Sequence, residues 1–133
     1  MSIADLTAKL SYAKRLNVGA VIVKGNKVLA TGYNGMPTGW ENICEIEVED
    51  ALVTKPEVLH AETNAIAKVA QSTESSEGAT MFCTHAPCID CAKLIYQSGI
   101  GVLYFKDYYR SKDGLNFLIQ GGVHVHQYEP TKD

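Results

Sequence analysis

Two short clusters of metal-binding side chains, His60-Ala61-Glu62 and Pro87-Cys88-Ile89-Asp90-Cys91, constrain this chain more than any other feature. For His60, Cys88 and Cys91 to share one ion, the fold must bring two distant segments to a single point. Three protein ligands and one vacant position are the pattern of a catalytic zinc, whereas a closed structural site uses four. Cys88 and Cys91 are three apart, so in the first turn of a helix they share a face and both reach an ion at about 2.3 Å. Helix N-termini also favour thiolates electrostatically. His60 and Glu62 are two apart, which on a regular helix sends them to different sides. His60 is therefore expected at the very start of its helix, where the backbone is not yet helical. Glu62 then faces the ion's water without ligating. Zinc lowers the pKa of such a water toward roughly 7, and a nearby carboxylate can take the proton and pass it on.

The elements around these clusters read as α/β. Ser2 can cap a first helix that runs to about Arg15, with Ile3, Leu6, Leu10 and Ala13 on its buried face. GAVIVK and KVLATGY flank Gly25-Asn26, a two-residue hairpin connection. From Asn34 to Glu57 the acidic residues Glu41, Glu45, Glu47, Glu49, Asp50 and Glu57 sit among few core-forming periodicities, which predicts a long loop with some local structure. HAETNAIAKVAQ predicts a second helix with Leu59, Ile66 and Ala70 on one stripe. TMFCTH predicts a third strand, and CIDCAKLIYQS a third helix introduced by Pro87 and closed by Gly99. GVLYF predicts a fourth strand buried on both faces. LNFLIQ forms a short helix stopped by Gly121-Gly122, and VHVHQY a last strand. Strand-helix-strand order with short links favours right-handed crossovers, so the last three strands should be parallel. The expected architecture is a three-layer α/β/α sandwich around a mixed five-stranded sheet, with residues 1–133 forming a single domain.

Composition narrows the partners. Hydrophobic residues make up 46% and charged residues 20%, the balance of a globular domain. A formal charge of −3, with no basic cluster beyond Lys14-Arg15, leaves no footprint for a polynucleotide. MSIADLTAKL lacks the apolar core of a signal peptide, and no apolar run approaches a membrane span, so a cytoplasmic location is expected. The four cysteines then read as metal or catalytic chemistry before disulfides. Cys83 reads as a small buried hydrophobe. His124 and His126 share a strand face but have no third ligand and read as a polar surface.

H-x-E followed by P-C-x-x-C is the pattern of zinc nucleobase deaminases. Within the cytidine deaminase superfamily the chain resembles the deoxycytidylate deaminases, from RLNVGAVIVK through GYNGMPTG and HAETNA to PCIDCAKLIYQSGI and YYR. The resemblance implies a cytidine-deaminase-like fold and hydrolytic deamination of dCMP to dUMP and ammonia, with one catalytic zinc and Glu62 as the proton carrier. It implies that Asn34 contacts the deoxyribose hydroxyl, Ala61 offers its backbone N–H to the base carbonyl, and Tyr109 flanks the pyrimidine ring. Arg15 and Arg110, the two arginines of the chain, each lie beside a family motif and are candidates for the phosphate. The resemblance also implies an allosteric site at a subunit interface of a homo-oligomer, a hexamer, with Gly32, Asn34, Gly35 and Met36 taking part. Its effectors would be dCTP with Mg2+ as activator and dTTP as inhibitor.

One departure stands out. Several relatives hold a second, structural zinc with additional Cys and His residues after GYNG, whereas this chain has only Cys44 there before His60. Two other readings stay open on the residues alone. One is a deaminase of another small base, nucleoside or tRNA adenosine, against which GYNG and YYR argue. The other is a zinc-stabilised binding module without turnover, in which Glu62 would have no use.

Overall fold

The computed structural model describes residues 1–129, so the last four positions of the expected single domain lie outside the described residues. The elements are α1 (Ser2–Ala8), β1 (Gly19–Lys24), β2 (Lys27–Tyr33), β3 (Glu45–Val48), β4 (Ala51–Thr54), α2 (Ala61–Ala70), β5 (Thr80–His85), α3 (Ile89–Gln97), β6 (Val102–Asp107), α4 (Asp113–Gln120) and β7 (His124–Gln127). Five strands form one sheet in the order β2-β1-β5-β6-β7. The β1–β2 hairpin and the β1–β5 seam are antiparallel, while β5, β6 and β7 run parallel as expected. Gly25 turns the hairpin with a φ of +61°, and Gly99 closes α3 with a φ of +82°.

Partners across a sheet point to the same side, which sorts the two faces. Ile22, Met81, Leu103 and Val125 form one row, and Ala20, Cys83 and Phe105 the next, both on the face covered by α2, α3 and α4. Cys83 is fully buried there, as its alternation implies. The opposite row is Val21, Phe82, Tyr104 and His126. Phe82 and Tyr104 stack with centroids 5.0 Å apart, and the His126 ring lies 5.3 Å from Tyr104. α1 covers this face mainly over β1, β2 and β5, reaching β6 through the Asp5–Lys106 pair. The expectation that the fourth predicted strand is buried on both sides is thereby corrected. Leu103 and Phe105 are in the core, but Val102, Tyr104 and Lys106 are half-exposed.

The first helix is shorter than expected and turns a different face inward. Met1 takes the cap position without a side-chain bond, and Ser2 is already helical. Ala4, Thr7 and Ala8 are buried, whereas Ile3, Leu6 and Leu10 are exposed. The reason is the closeness of helix and strand: a Cβ on Gly19 would stand 2.0 Å from the Ala4 carbonyl oxygen and 2.7 Å from the Ala8 nitrogen. Only small side chains fit between them. The chain leaves the helix after Ala8, and the Ser11 hydroxyl donates to the Asn34 carbonyl at 2.7 Å instead of continuing the turn.

The second helix repeats this contact. A Cβ on Gly32 would lie 2.4 Å from the Ala61 carbonyl oxygen and 2.6 Å from the Ala65 nitrogen. The buried stripe is accordingly Ala61, Glu62, Ala65, Ile66 and Val69. Of the expected Leu59, Ile66 and Ala70, only Ile66 is inside.

The segment expected as a loop contains a separate hairpin, β3–β4, in which Glu45 pairs with Thr54 and Val48 with Ala51. Its turn residues Glu49 and Asp50 have φ values of 52° and 63°. Ile46, Val48, Leu52 and Val53 remain exposed, while Cys44 and Glu45 at its base are buried.

Gly32→Ala is expected to destabilise the protein by about 1–3 kcal/mol, because backbone atoms of α2 must move. Gly35→Ala, whose Cβ would meet only the Tyr33 ring at 3.8 Å, is expected to be close to neutral. Equilibrium denaturant unfolding of the two variants checks the contrast.

Candidate active site

Both helix starts that carry the predicted ligands point to one place. His60 caps α2 in extended geometry (φ −80°, ψ 153°), as its spacing from Glu62 requires. Cys88 caps α3 with φ −70° and ψ 170°, and Cys91 lies on its first turn. The His60 Nδ1 is 3.6 Å from the Cys88 Sγ and 3.2 Å from the Cys91 Sγ, and the three ligand atoms all lie within 4.8 Å of one another. Tetrahedral zinc with bonds of about 2.3 Å to sulfur and 2.0–2.1 Å to nitrogen sets N and S roughly 3.5 Å apart, so the set fits that ion. A soft pair of thiolates with one imidazole is also the donor chemistry zinc prefers.

The three groups strongly perturb one another. Hydrogen bonds, first from Cys91 and then from His60, pull the Cys88 thiol down to about 3. Cys91 is pushed up, first by its bond to the Cys88 thiolate and then by burial. His60 is raised by its bond to Cys88. A metal ion takes both sulfurs as thiolates and the imidazole as neutral, so its binding releases the protons these groups hold. Glu62, 4% exposed, lies against this cluster, its carboxyl raised by burial and drawn partly back by Cys91 and His60.

A cavity of about 490 Å³ opens over the cluster, a volume usual for small-ligand sites. His60, Ala61, Glu62 and Cys88 line its floor, and Asn34, Arg15, Tyr109 and Arg110 line its walls. As the first residue of α2, Ala61 carries one of the N–H groups that a helix leaves without an internal partner. Asn34 is partly committed elsewhere. Its Oδ1 accepts from the Val18 N–H at 2.8 Å and its Nδ2 donates to the Leu16 carbonyl at 2.7 Å, leaving one N–H and one lone pair. The Arg110 guanidinium lies 5.8 Å from the Tyr109 ring centre.

Of the four residues assigned to an allosteric role, the structure divides the set. Gly35 and Met36 line a second hollow with Tyr33, Thr38, Leu59, Asn64 and Lys68. Asn34 lines the first cavity instead, and Gly32 is inside β2, where the approach of α2 accounts for it.

Among the lining residues that sequence reasoning missed are Glu45, Thr54, His85 and Asp107. Glu45, 8% exposed, accepts from the backbone N–H of Lys14 at 2.6 Å and of Arg15 at 3.1 Å. Thr54 accepts from the Arg15 Nη1 at 3.1 Å. His85 and Asp107 close the cavity at the carboxyl ends of β5 and β6. Glu45 is one acid among six in its stretch, and nothing local marks it. His85, the last residue of a strand just before the Pro87 motif, carried a usable signal, because ligands gather at the carboxyl ends of parallel strands.

Residues 1–106 match the family described as the cytidine and deoxycytidylate deaminase zinc-binding region. The chain belongs to this family. Among curated members it is similar to the deoxycytidylate deaminase of Enterobacteria phage T4, 33% identical over 94% of this chain and 86% of the relative. It is also similar to that of Homo sapiens, 40% identical over 85% of this chain and 66% of the relative. Among solved structures, a dCMP deaminase from the cyanophage S-TIM5 in complex with dCMP and dUMP superposes with a TM-score of 0.90. It is 46% identical to this chain, and the match covers 96% of this chain and 92% of the cyanophage one. The mixed sheet and its helices are therefore the cytidine-deaminase-like fold.

In this deaminase-family site zinc is bound by His60, Cys88 and Cys91. Among the described residues no second group of three ligands gathers, and Cys44, His124 and His126 belong to none. Among the described residues, too, no helix is long and apolar enough to cross a membrane. Elemental analysis should give one zinc per chain in the wild type, in Cys44→Ala and in Glu62→Gln, and a loss of zinc in Cys91→Ser. Two zinc ions, or loss of one in Cys44→Ala, would reinstate the second site.

Proposed function

We infer that this chain, acting in the cytoplasm, hydrolyses dCMP to dUMP, a thymidylate precursor, and ammonia, with Glu62 moving the protons. The observation that carries this reading is the place of Glu62, buried against the metal cluster, lining the cavity and outside the ligand set. A structural zinc site has no use for such a carboxyl. The choice of dCMP is supported by likeness along nearly the whole chain to dCMP deaminases.

Zinc, when bound, supplies a Lewis acid that makes a water nucleophilic near neutral pH. The chain's own residues do the rest. Glu62 takes a proton from the attacking water and delivers it to N3 of the cytosine ring, which activates C4. It then takes the proton of the new C4 hydroxyl and passes it to the departing amino group, so that the C4 carbonyl forms as the C–N bond breaks, one water enters and one ammonia leaves. The Ala61 N–H holds the base carbonyl, and Tyr109 flanks the ring. Asn34 reaches the deoxyribose hydroxyl with its remaining N–H. Arg110 and Arg15 hold the phosphate, Arg15 fixed in place by Glu45 and Thr54. The exposed apolar side chains of α1 and of β3–β4 favour a homo-oligomer, in keeping with a hexamer.

Glu62→Gln should lower turnover of dCMP by orders of magnitude. Arg110→Ala should lose a charge-assisted contact of about 1.5–3 kcal/mol, hence roughly ten- to a hundredfold in kcat/KM for dCMP. Its activity on deoxycytidine, which has no phosphate, should barely move. Steady-state kinetics on both substrates decides: equal losses with Arg110→Ala would assign that residue to folding or assembly.

We further propose that effectors bind at the hollow of Gly35 and Met36, completed by a neighbouring subunit, with dTTP inhibiting and dCTP with Mg2+ relieving the inhibition. Lys68 offers a cation there, and Gly35 has free space around it. Gly35→Ala should weaken both effects, and rates indifferent to both nucleotides in the wild type would sink this part.

A further inference from the structure

The carboxyl end of β5 carries a histidine to which the deamination chemistry gives no role. The His85 side chain is 19% exposed and lines the same cavity as Arg110 and Asp107. A chain of hydrogen bonds fixes its tautomer. The Gly19 N–H donates to the Thr84 Oγ1 at 3.1 Å, and that oxygen lies 2.9 Å from the His85 Nδ1. Thr84 is 4% exposed, and among the described residues its hydroxyl has no other hydrogen-bond partner. Its single proton therefore goes to Nδ1, and the neutral imidazole carries its own proton on Nε2. The nearest carboxylate oxygen to Nε2, Asp107 Oδ2, is 3.9 Å away, too far for a hydrogen bond.

The charge balance of the cavity asks for such a group. Among the described residues Arg15 and Arg110 are its permanent cations and no lysine lines it, while Glu45 and Asp107 are carboxylates on the same walls. The phosphate of a nucleoside monophosphate brings close to two further negative charges at pH 7. His60 is committed to the metal. His85 is then the lining side chain left to become cationic near neutral pH.

We propose that His85 is a specificity-determining residue for the nucleotide, donating from Nε2 to the substrate phosphate and taking up a proton on Nδ1 as the phosphate binds, the Thr84 hydroxyl then turning its second lone pair to accept from that N–H. The inference rests on dCMP being the substrate. The groups around His85 suit the task. Burial first, and Lys106 of β6 after it, hold its pKa below the ordinary histidine value, while Asp107 and, from α1, Asp5 pull the other way. Lys106 and Asp5 largely answer each other, being 3.3 Å apart. Without a nucleotide His85 is neutral at pH 7, and an adjacent dianion raises its pKa. Between the free and bound values, affinity for the nucleotide falls as pH rises, by up to about tenfold per unit for one proton.

The test uses the zinc-loaded protein between pH 7 and 8.5, above the phosphate's own second ionisation near pH 6. Binding of dUMP is measured by titration calorimetry in two buffers of different ionisation enthalpy. The wild type should take up close to one proton per dUMP at the lower end, and His85→Gln and His85→Asn should take up almost none. Deoxyuridine, without a phosphate, should bring no uptake to any of them. In parallel, KM for dCMP should climb with pH in the wild type and lose that climb in both variants. Uptake persisting in the variants, or appearing equally with deoxyuridine, would overturn the role of His85. A wild type that turns over dCMP with no uptake and a flat KM would do the same while leaving the reaction intact, whereas no turnover of dCMP at any pH would remove the substrate assignment itself.

Discussion

With no side chain at Gly32, α2 lies against β2 backbone to backbone, and the site depends on that closeness. The helix is held by its small residues, Ala61 and Ala65, so its first turn is set by contact between main chains and not by side-chain rotamers. That turn carries His60 and Glu62. α3 leaves β5 two strands away on the same face and brings Cys88 and Cys91 to meet them. A metal site tolerates displacements of only tenths of an ångström in its ligands. Glycine and alanine at the helix-sheet contact serve the geometry of the site as well as the packing of the core.

The cavity above the metal is a study in offset charges. Glu45 stands at the base of the hairpin, and its oxygen is occupied by the N–H groups of Lys14 and Arg15. This anchors a segment that would otherwise be a free loop and places Arg15 on the cavity wall. A buried carboxylate satisfied by backbone donors costs far less than an orphaned one. It also keeps the field of two arginines from being wholly positive when the cavity is empty.

Much of this was legible in the sequence, for identifiable reasons. The metal cluster and the two helix starts follow from spacing, since ligand chemistry permits few alternatives. The parallel order of β5, β6 and β7 follows from strand-helix alternation. Helix faces were less legible. In α1 the largest apolar residues do not mark the inward side, because Gly19 on β1 lets the helix come too close for anything larger than alanine or threonine. A pattern that weighs residues by hydrophobicity points Leu6 and Leu10 inward, and the structure turns them out. The β3–β4 hairpin escaped for another reason. Its turn is Glu49-Asp50, both in left-handed geometry, where a glycine or asparagine would have signalled a reversal. Within the run of acids, only tertiary contact distinguishes Glu45 from its neighbours.

The antiparallel seam between β1 and β5 has a bearing on how the molecule assembles. Ala20 pairs with Cys83, far along the chain, and this pairing joins an N-terminal hairpin to a C-terminal run of strand-helix units. Each half can form from local contacts, but the seam must close a long loop before its contacts repay the lost entropy. His60 lies in the stretch that the closing loop contains, and both cysteines lie beyond it. The complete ligand set is therefore in register only when the two halves are docked. Full coordination of an ion thus requires the closed seam, and the C-terminal half alone offers only the cysteine pair.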